Sequence, residues 1–301
     1  MAADTLPEEG ELRLGAVMLP PGRRFVPQEG PGEPVAWVTT QPVPDPGLIW
    51  SALSDAHLET GLVPVVLTDG EKDEDFFFAA PNDLAELDHL DAADVLGTRL
   101  APHEASKLSM AECQQVLGSL SAAPIGLVPA RRPADVLPTV GWRITGRFPT
   151  SLPIAAVLRS WEARFGARLL DVGPGAQIRL LVERPPRSTE AAERVAAEHL
   201  AFCDESAGQG LHDISGLAAS LVNAPVWTCW WGPATSPGGE EARPASEEAR
   251  PAGEEARPAD GGARPAGGGA GPASEGARPA GEEARPAGEE ASPGDQPASS
   301  E

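Results

Sequence analysis

The amino-acid sequence predicts a mixed α/β (α+β) protein in which an N-terminal β-α-β region and a C-terminal α-β-β-α-α-β domain precede a disordered repetitive tail. Two observations predict the folded part: apolar runs of strand length alternate along the chain with segments in which large apolar residues recur every three or four positions. A third observation predicts the tail, because large apolar side chains are absent after Trp231 and nothing there offsets the entropy of ordering the chain.

The N-terminal half divides into two predicted regions. Residues 1–33 are rich in proline and glycine, and we expect them to be mostly disordered, with one short strand around residues 12–18. Residues 34–121 are expected to form an α/β region that begins with a β-α-β unit. Its predicted elements are a strand at 35–39, a helix at 46–60 whose apolar residues are Leu48, Trp50, Leu53 and Leu58, a strand at 62–67, and helices at about 83–96 and 109–120.

Residues 122–232 are expected to form the C-terminal domain. Its clearest element is a helix capped by Ser151, with Pro153 in the first turn and Gly166 as the stop, because apolar residues recur between them at helical spacing. The other predicted elements are a strand at 125–129, a weak helix at 133–140, a hairpin with strands at 167–172 and 177–183, helices at 190–203 and 213–222, and a strand at 225–231.

The tail, residues 233–301, repeats a seven-residue unit such as EEARPAG. A period of seven is also that of a coiled coil, but each unit carries a proline and none supplies large apolar residues for the seam. We therefore expect an extended, solvated chain.

Charge and cysteine content exclude several classes of function. The net charge is −22, and the tail holds only fourteen acidic residues against six arginines, so much of the negative charge lies elsewhere. Such a field repels phosphate backbones and anionic membranes, and we expect no nucleic-acid or membrane partner. The cysteines, Cys113, Cys203 and Cys229, are widely spaced and odd in number, as in reduced cytosolic proteins. No signal peptide or spanning segment is recognised, so we expect a cytoplasmic protein.

Several segments of the C-terminal domain carry a family resemblance: GW at 141–142, IAAVLRSWEARFGARLL at 154–170, RPP at 184–186, VAAEHLAFC at 195–203 and WTCWW at 227–231. Over residues 125–231 these resemble the bacterial family of domain of unknown function 4253, with a weaker resemblance upstream to actinobacterial proteins. The resemblance implies a small α/β domain in a cytosolic bacterial protein and implies no activity. The sequence departs from the family pattern at Gly232, where an acidic residue is common, and around Arg147, where an asparagine is expected.

The most reactive grouping is His199 with Cys203, which share a helix face four residues apart, since an imidazole can activate a neighbouring thiol. The alternative interpretation is a half-buried histidine beside a core cysteine, because no oxyanion donor or third orienting group is recognisable. A metal site formed by His199, Cys203, His212 and Cys229 lacks the closely spaced ligand pairs of structural zinc sites. We therefore expect no metal and no cofactor.

Three tryptophans, Trp227, Trp230 and Trp231, lie in the final predicted strand. Alternation places Trp227 and Trp231 on one face and Trp230 on the other. An exposed tryptophan at a sheet edge favours protein contact, whereas a strand covered by helices on both sides would bury all three. The sequence favours a noncatalytic protein-interaction module with an unidentified protein partner; the alternative is a small-ligand-binding protein or a thiol-dependent enzyme that uses His199 and Cys203.

Overall fold

The structure is a computed structural model that describes residues 6–27, 29–68, 80–104, 106–143, 148–173, 176–203 and 213–231. The chain divides into two units, Met1–Ala242 and Arg243–Glu301, and every described residue belongs to the first. The predicted repetitive tail lies outside the described residues, so its disorder stays a prediction.

The described residues form one eight-stranded sheet flanked by helices, which confirms the mixed α+β class. The strands lie side by side in the order β1-β2-β3-β5-β4-β6-β7-β8. Their bounds are β1 Gly10–Leu14, β2 Val17–Phe25, β3 Ala36–Thr39, β4 Leu62–Leu67, β5 Ile125–Pro129, β6 Ala167–Gly173, β7 Gln177–Val182 and β8 Val226–Trp230.

The two strands at the start of the chain correct the prediction that residues 1–33 are mostly disordered. β1 and β2 pair as an antiparallel hairpin that turns at Gly15, whose φ of +57° is in the left-handed region. β2 then pairs with β3 despite Pro20 and Pro21 within it. Local composition is misleading here, because the hairpin is stabilised by pairing with a strand farther along the chain and by the burial of Leu19 and Phe25.

The predicted β-α-β unit is present but split. β5 lies between β3 and β4 and is antiparallel to both, so those two strands run parallel without touching. β4 also pairs in parallel with β6, which connects the two predicted regions within one sheet.

Eight α-helices occur within the described ranges, and they cover both faces of the sheet. Their bounds are α1 Pro46–Asp55, α2 His57–Thr60, α3 Ala92–Leu96, α4 Met110–Leu117, α5 Val136–Thr139, α6 Leu152–Phe165, α7 Thr189–Phe202 and α8 Ile214–Leu221. Helices α5 to α8 contribute to the larger apolar cluster on one face, whereas α1 and α4 contribute to a second cluster on the other. None of these helices is long and apolar enough to cross a membrane.

Three details of the helices differ from the sequence predictions. The helix predicted at 46–60 is two helices separated at Ala56. Leu48 and Leu58 are 47% and 95% exposed, whereas Trp50 and Leu53 are buried as predicted. The long segment at 83–96 is a 3-10 turn, Glu86–His89, followed by α3. Ser151 has helical dihedrals and does not cap α6 through its side chain.

Candidate functional site

His199 lies on α7 inside the larger apolar cluster, with an exposure of 1%. Its ring stacks on Trp161 with centroids 4.5 Å apart and meets Trp227 edge-on at 4.9 Å. Nδ1 is 3.0 Å from the carbonyl oxygen of Val195, which assigns the proton of the neutral ring to Nδ1. Nε2 is buried and has no hydrogen-bond partner within the described part of the chain. Burial lowers the pKa of His199 to about 4, so the imidazole is neutral at pH 7.

Cys203 follows α7 and is completely buried, as is Cys229 on β8. Burial raises the pKa of Cys229 well above its usual range, and the neighbouring Cys203 raises it further. A thiol held protonated and away from solvent is a poor nucleophile. The structure therefore places His199 and Cys203 in the same core, but in an environment typical of structural cysteines.

The four residues considered as metal ligands, for which no metal site was expected, are not all described by the structure. His212 lies outside the described residues. Among the residues that are described, no group of three or more histidine, cysteine or acidic side chains is arranged to hold a metal ion.

Glu198, the residue before His199, has a buried carboxylate that was not predicted from the sequence. Glu198 is fully buried, and its oxygens accept hydrogen bonds from the indole Nε1 of Trp161 at 2.7 Å and from the backbone N–H of Ala101 at 2.5 Å. Arg164 completes the group by donating to both oxygens of Glu198 and to the carbonyl oxygen of Ala101. Because the carboxylate is fully paired, the arrangement fixes α6, α7 and the segment around Ala101 relative to one another. The one sequence signal is a glutamate on the apolar side of a helix.

The three tryptophans of the predicted interaction surface lie on two different faces of β8. Trp227 and Trp231 are 1% and 6% exposed, and the indole of Trp231 donates to the carbonyl oxygen of Phe202 at 2.9 Å. Their side chains belong to the core and cannot contribute contact area at a surface. Trp230 is half-buried and lies on the opposite face of β8 with Val226 and Thr228.

The backbone of β8 has one edge next to β7 and one open edge, beside which no described strand lies. Val182 N–H donates to the carbonyl oxygen of Pro225, and Trp231 N–H donates to that of Ala176. In an antiparallel ladder alternate residues direct both backbone groups to the same neighbour, so residues 227, 229 and 231 face β7. The N–H and C=O groups of Val226, Thr228 and Trp230 therefore point away from β7. Among the described strands β8 pairs with β7 alone.

A polar row crosses the sheet beside this edge. Asp171 on β6 is opposite Arg179 on β7, which is opposite Thr228 on β8. Arg179 Nε is 2.6 Å from Asp171 Oδ2, and the arginine side chain is 30% exposed whereas that of Asp171 is 1% exposed. Burial raises the pKa of Asp171, and Arg179 opposes that rise. Neither residue was predicted, because the row exists only once the three strands are in register.

Comparison with known proteins places a family boundary close to the predicted one. Residues 124–232 match the family model described as Domain of unknown function (DUF4253), which confirms the resemblance predicted over 125–231. No curated protein and no solved structure matches the chain. The family match assigns no reaction to these residues.

Proposed function

We propose that this chain, in which residues 124–232 match DUF4253, is a noncatalytic bacterial protein-interaction module of the cytoplasm. It adds an extended segment of another protein to the open edge of β8. The observation that carries the proposal is the alternation of β8, in which the backbone groups of Val226 and Thr228 are directed away from β7. Edge strands with such groups are templates for strand addition.

The side chains of β8 on the face of Trp230 determine which kind of segment can bind beside it. An added strand places its own alternate side chains beside Val226, Thr228 and Trp230, on the face that carries Trp230. The half-buried indole offers a large flat surface at low entropic cost. The partner segment is therefore proline-free and carries apolar side chains at the positions opposite Val226 and Trp230.

Two other occupants are less suited to this edge. A second copy of the chain brings another net charge of −22 to the contact, which opposes association. The repeats after residue 240 carry one proline in each seven residues and consist largely of glutamate, alanine and glycine, all of which are depleted in strands.

Thr228 provides a sharp test. Its N–H points to the open edge, so Thr228→Pro removes a donor for an added strand without breaking the β7–β8 ladder. Thr228→Val is the matched control, because it keeps the N–H and a β-branched side chain. Trp230→Ala tests the side-chain contact, and Leu58→Ala, at a position 95% exposed, is the surface control.

The experiment begins with crosslinked capture of partners by the full chain, and a synthetic peptide of the crosslinked segment is then titrated by fluorescence anisotropy. We expect Thr228→Pro and Trp230→Ala to raise the Kd at least about tenfold, and both controls to leave it within about twofold. A peptide that binds Thr228→Pro as tightly as the unchanged protein overturns strand addition at β8. Circular dichroism confirms that each variant folds.

The thiol-dependent alternative has less support, because Cys203 is completely buried. If iodoacetamide labels Cys203 of the folded protein faster than it labels free cysteine, the thiol is activated. That result would favour the thiol-dependent enzyme over the interaction module.

A further inference from the structure

Arg179 carries the partly exposed charge of the polar row that crosses β6, β7 and β8. Its Nε lies 2.6 Å from Oδ2 of Asp171, and the side chain of Asp171 is 1% exposed whereas that of Arg179 is 30% exposed. The carboxylate therefore lies at the buried end of the pair, and a molecule above this part of the sheet meets the guanidinium. A guanidinium has five N–H donors, and the contact with Asp171 is made through Nε, so the Nη groups can donate to a further acceptor.

The register of the sheet brings this charge close to the open edge of β8. Arg179 is directly opposite Thr228, and the backbone groups of Thr228 point away from β7, so the two residues form a non-hydrogen-bonded pair with Cα atoms about 4.5 Å apart. A residue added opposite Thr228 would form a hydrogen-bonded pair with it, about 5.5 Å farther along the row. Arg179 and the added residue would thus lie about 10 Å apart with only a threonine between them. An arginine and a glutamate are both long enough to meet over so short a side chain.

We propose that the segment added to β8 carries a glutamate opposite Thr228, and that Arg179 is the residue that selects it. This inference rests on the proposed strand addition at β8 and names the sequence that the edge prefers. The carboxylate accepts hydrogen bonds from the Nη groups of Arg179, and such charge-assisted bonds are about twice as strong as neutral ones. Together with the apolar residues expected opposite Val226 and Trp230, the preferred segment has a glutamate flanked by apolar residues two positions before and two positions after it.

The net charge of −22 does not oppose this contact strongly. Charges of the chain that lie farther than about 8 Å from the glutamate are largely screened at physiological ionic strength, whereas the guanidinium would be in direct contact with it. A lysine or arginine at the same position of the partner would instead be placed beside the cation of Arg179. Arg179 therefore contributes selectivity between partner sequences more than it contributes overall affinity.

The preference is tested first by selection from a phage-displayed library of random nonapeptides. Peptides that bind the full chain but not its Thr228→Pro variant depend on the open edge of β8. We expect these peptides to be enriched in glutamate between two apolar residues at alternate positions. Edge-dependent peptides without that enrichment overturn the role of Arg179 and leave strand addition intact. If no selected peptide is sensitive to Thr228→Pro, strand addition itself is wrong and this inference falls with it.

A selected peptide and a version in which glutamine replaces its central glutamate are then titrated by fluorescence anisotropy. On the unchanged protein we expect the glutamine peptide to have a Kd at least about fivefold higher, a comparison that requires no variant to fold. With Arg179→Gln the two Kd values should agree within about twofold. Arg168→Gln is the matched control, because Arg168 is 29% exposed on β6 and pairs with Glu183, and the fivefold difference should persist in it. Equal Kd values on the unchanged protein, or a difference that survives Arg179→Gln, overturn the proposal.

Discussion

Arg164 and Glu198 form a bidentate ion pair in the core, with Nη1–Oε1 and Nη2–Oε2 distances of 2.7 and 2.6 Å. The glutamate side chain is fully buried and the arginine side chain is 13% exposed. A buried pair of this kind makes a limited net contribution to stability, but losing one partner leaves a charge without compensation.

Glu198→Gln is therefore expected to lower the free energy of unfolding by about 3 kcal/mol. The variant leaves Arg164 without its counter-charge and replaces one acceptor oxygen by a donor group, which then faces the N–H of either Trp161 or Ala101. Urea denaturation measures the change. Glu190→Gln, which breaks the exposed pair with Arg194 on the same helix, is the control and should have a much smaller effect. Equal effects of the two variants would contradict a structural role for Glu198.

Because of His199, the free energy of unfolding is expected to decrease as the pH is lowered from about 6.5 to about 4. Its pKa in the folded protein is lowered from 6.5 to about 4, so in this window the unfolded chain binds a proton that the folded protein does not. The effect is absent above pH 6.5 and reaches about 3 kcal/mol near pH 4. Denaturation curves of the protein and of His199→Gln at pH 7 and pH 4.5 isolate the contribution, since the variant does not titrate at this position. Parallel pH profiles would show that His199 is not buried in its neutral form.

Ser151→Ala should destabilise the protein by about 1–3 kcal/mol although Ser151 does not cap α6. The hydroxyl is buried between the carbonyl oxygens of Trp142 and Leu137, at 2.5 and 3.3 Å, and the side-chain oxygen of Asn82 at 3.1 Å. Because the hydroxyl has a single proton, its removal leaves one of these buried acceptors without its donor. Ser119→Ala is the control, because this exposed serine bonds within its own turn. A difference below about 0.5 kcal/mol between the two variants in urea denaturation would contradict the buried network.

Gly47→Ala should lower stability by about 1–3 kcal/mol through overpacking. A Cβ at Gly47 would overlap the backbone of Leu117, which shows that α1 and α4 approach at this glycine. Gly118→Ala is a matched control in the adjacent segment, since its Cβ would meet the carbonyl oxygens of Gln114 and Gln115 at 3.3 and 3.9 Å without overlapping either. Thermal unfolding distinguishes the two, with a clear decrease in Tm expected for Gly47→Ala alone.

The elements predicted best are those whose pattern is local. All five apolar residues expected on one face of α6, Ile154, Val157, Leu158, Trp161 and Phe165, are at most 2% exposed. The alternation of β8 is likewise confirmed, because side-chain direction in a strand follows from its period of two. The hairpin of β1 and β2 was missed because its stability comes from pairing with β3, which proline content does not reveal.

The candidate site was less predictable than the fold. His199 lies within α7, but Cys203 follows the helix in a non-helical conformation, so the two residues do not share a helix face as predicted. The neighbour of the Cys203 thiol is Cys229, which belongs to another element. Glu198 needs Ala101, Trp161 and Arg164, and three segments must pack before these groups meet. Sequence periodicity predicts which side of α7 is buried, but it does not predict which groups of other segments will pair with a carboxylate on that side.

The insertion of β5 between β3 and β4 decides how the chain can be divided. Both strands that pair with β5 lie within residues 36–67. A fragment that begins at the family boundary, residue 124, would therefore contain β5 without β3 and β4, and β6 would lose its pairing with β4. β5 follows β4 by about sixty residues in the chain, so the pairing that connects β3 to β4 cannot form until that segment has been synthesised. Expression of residues 124–232 alone would therefore produce a fragment whose sheet is incomplete and prone to aggregation through its unpaired edges.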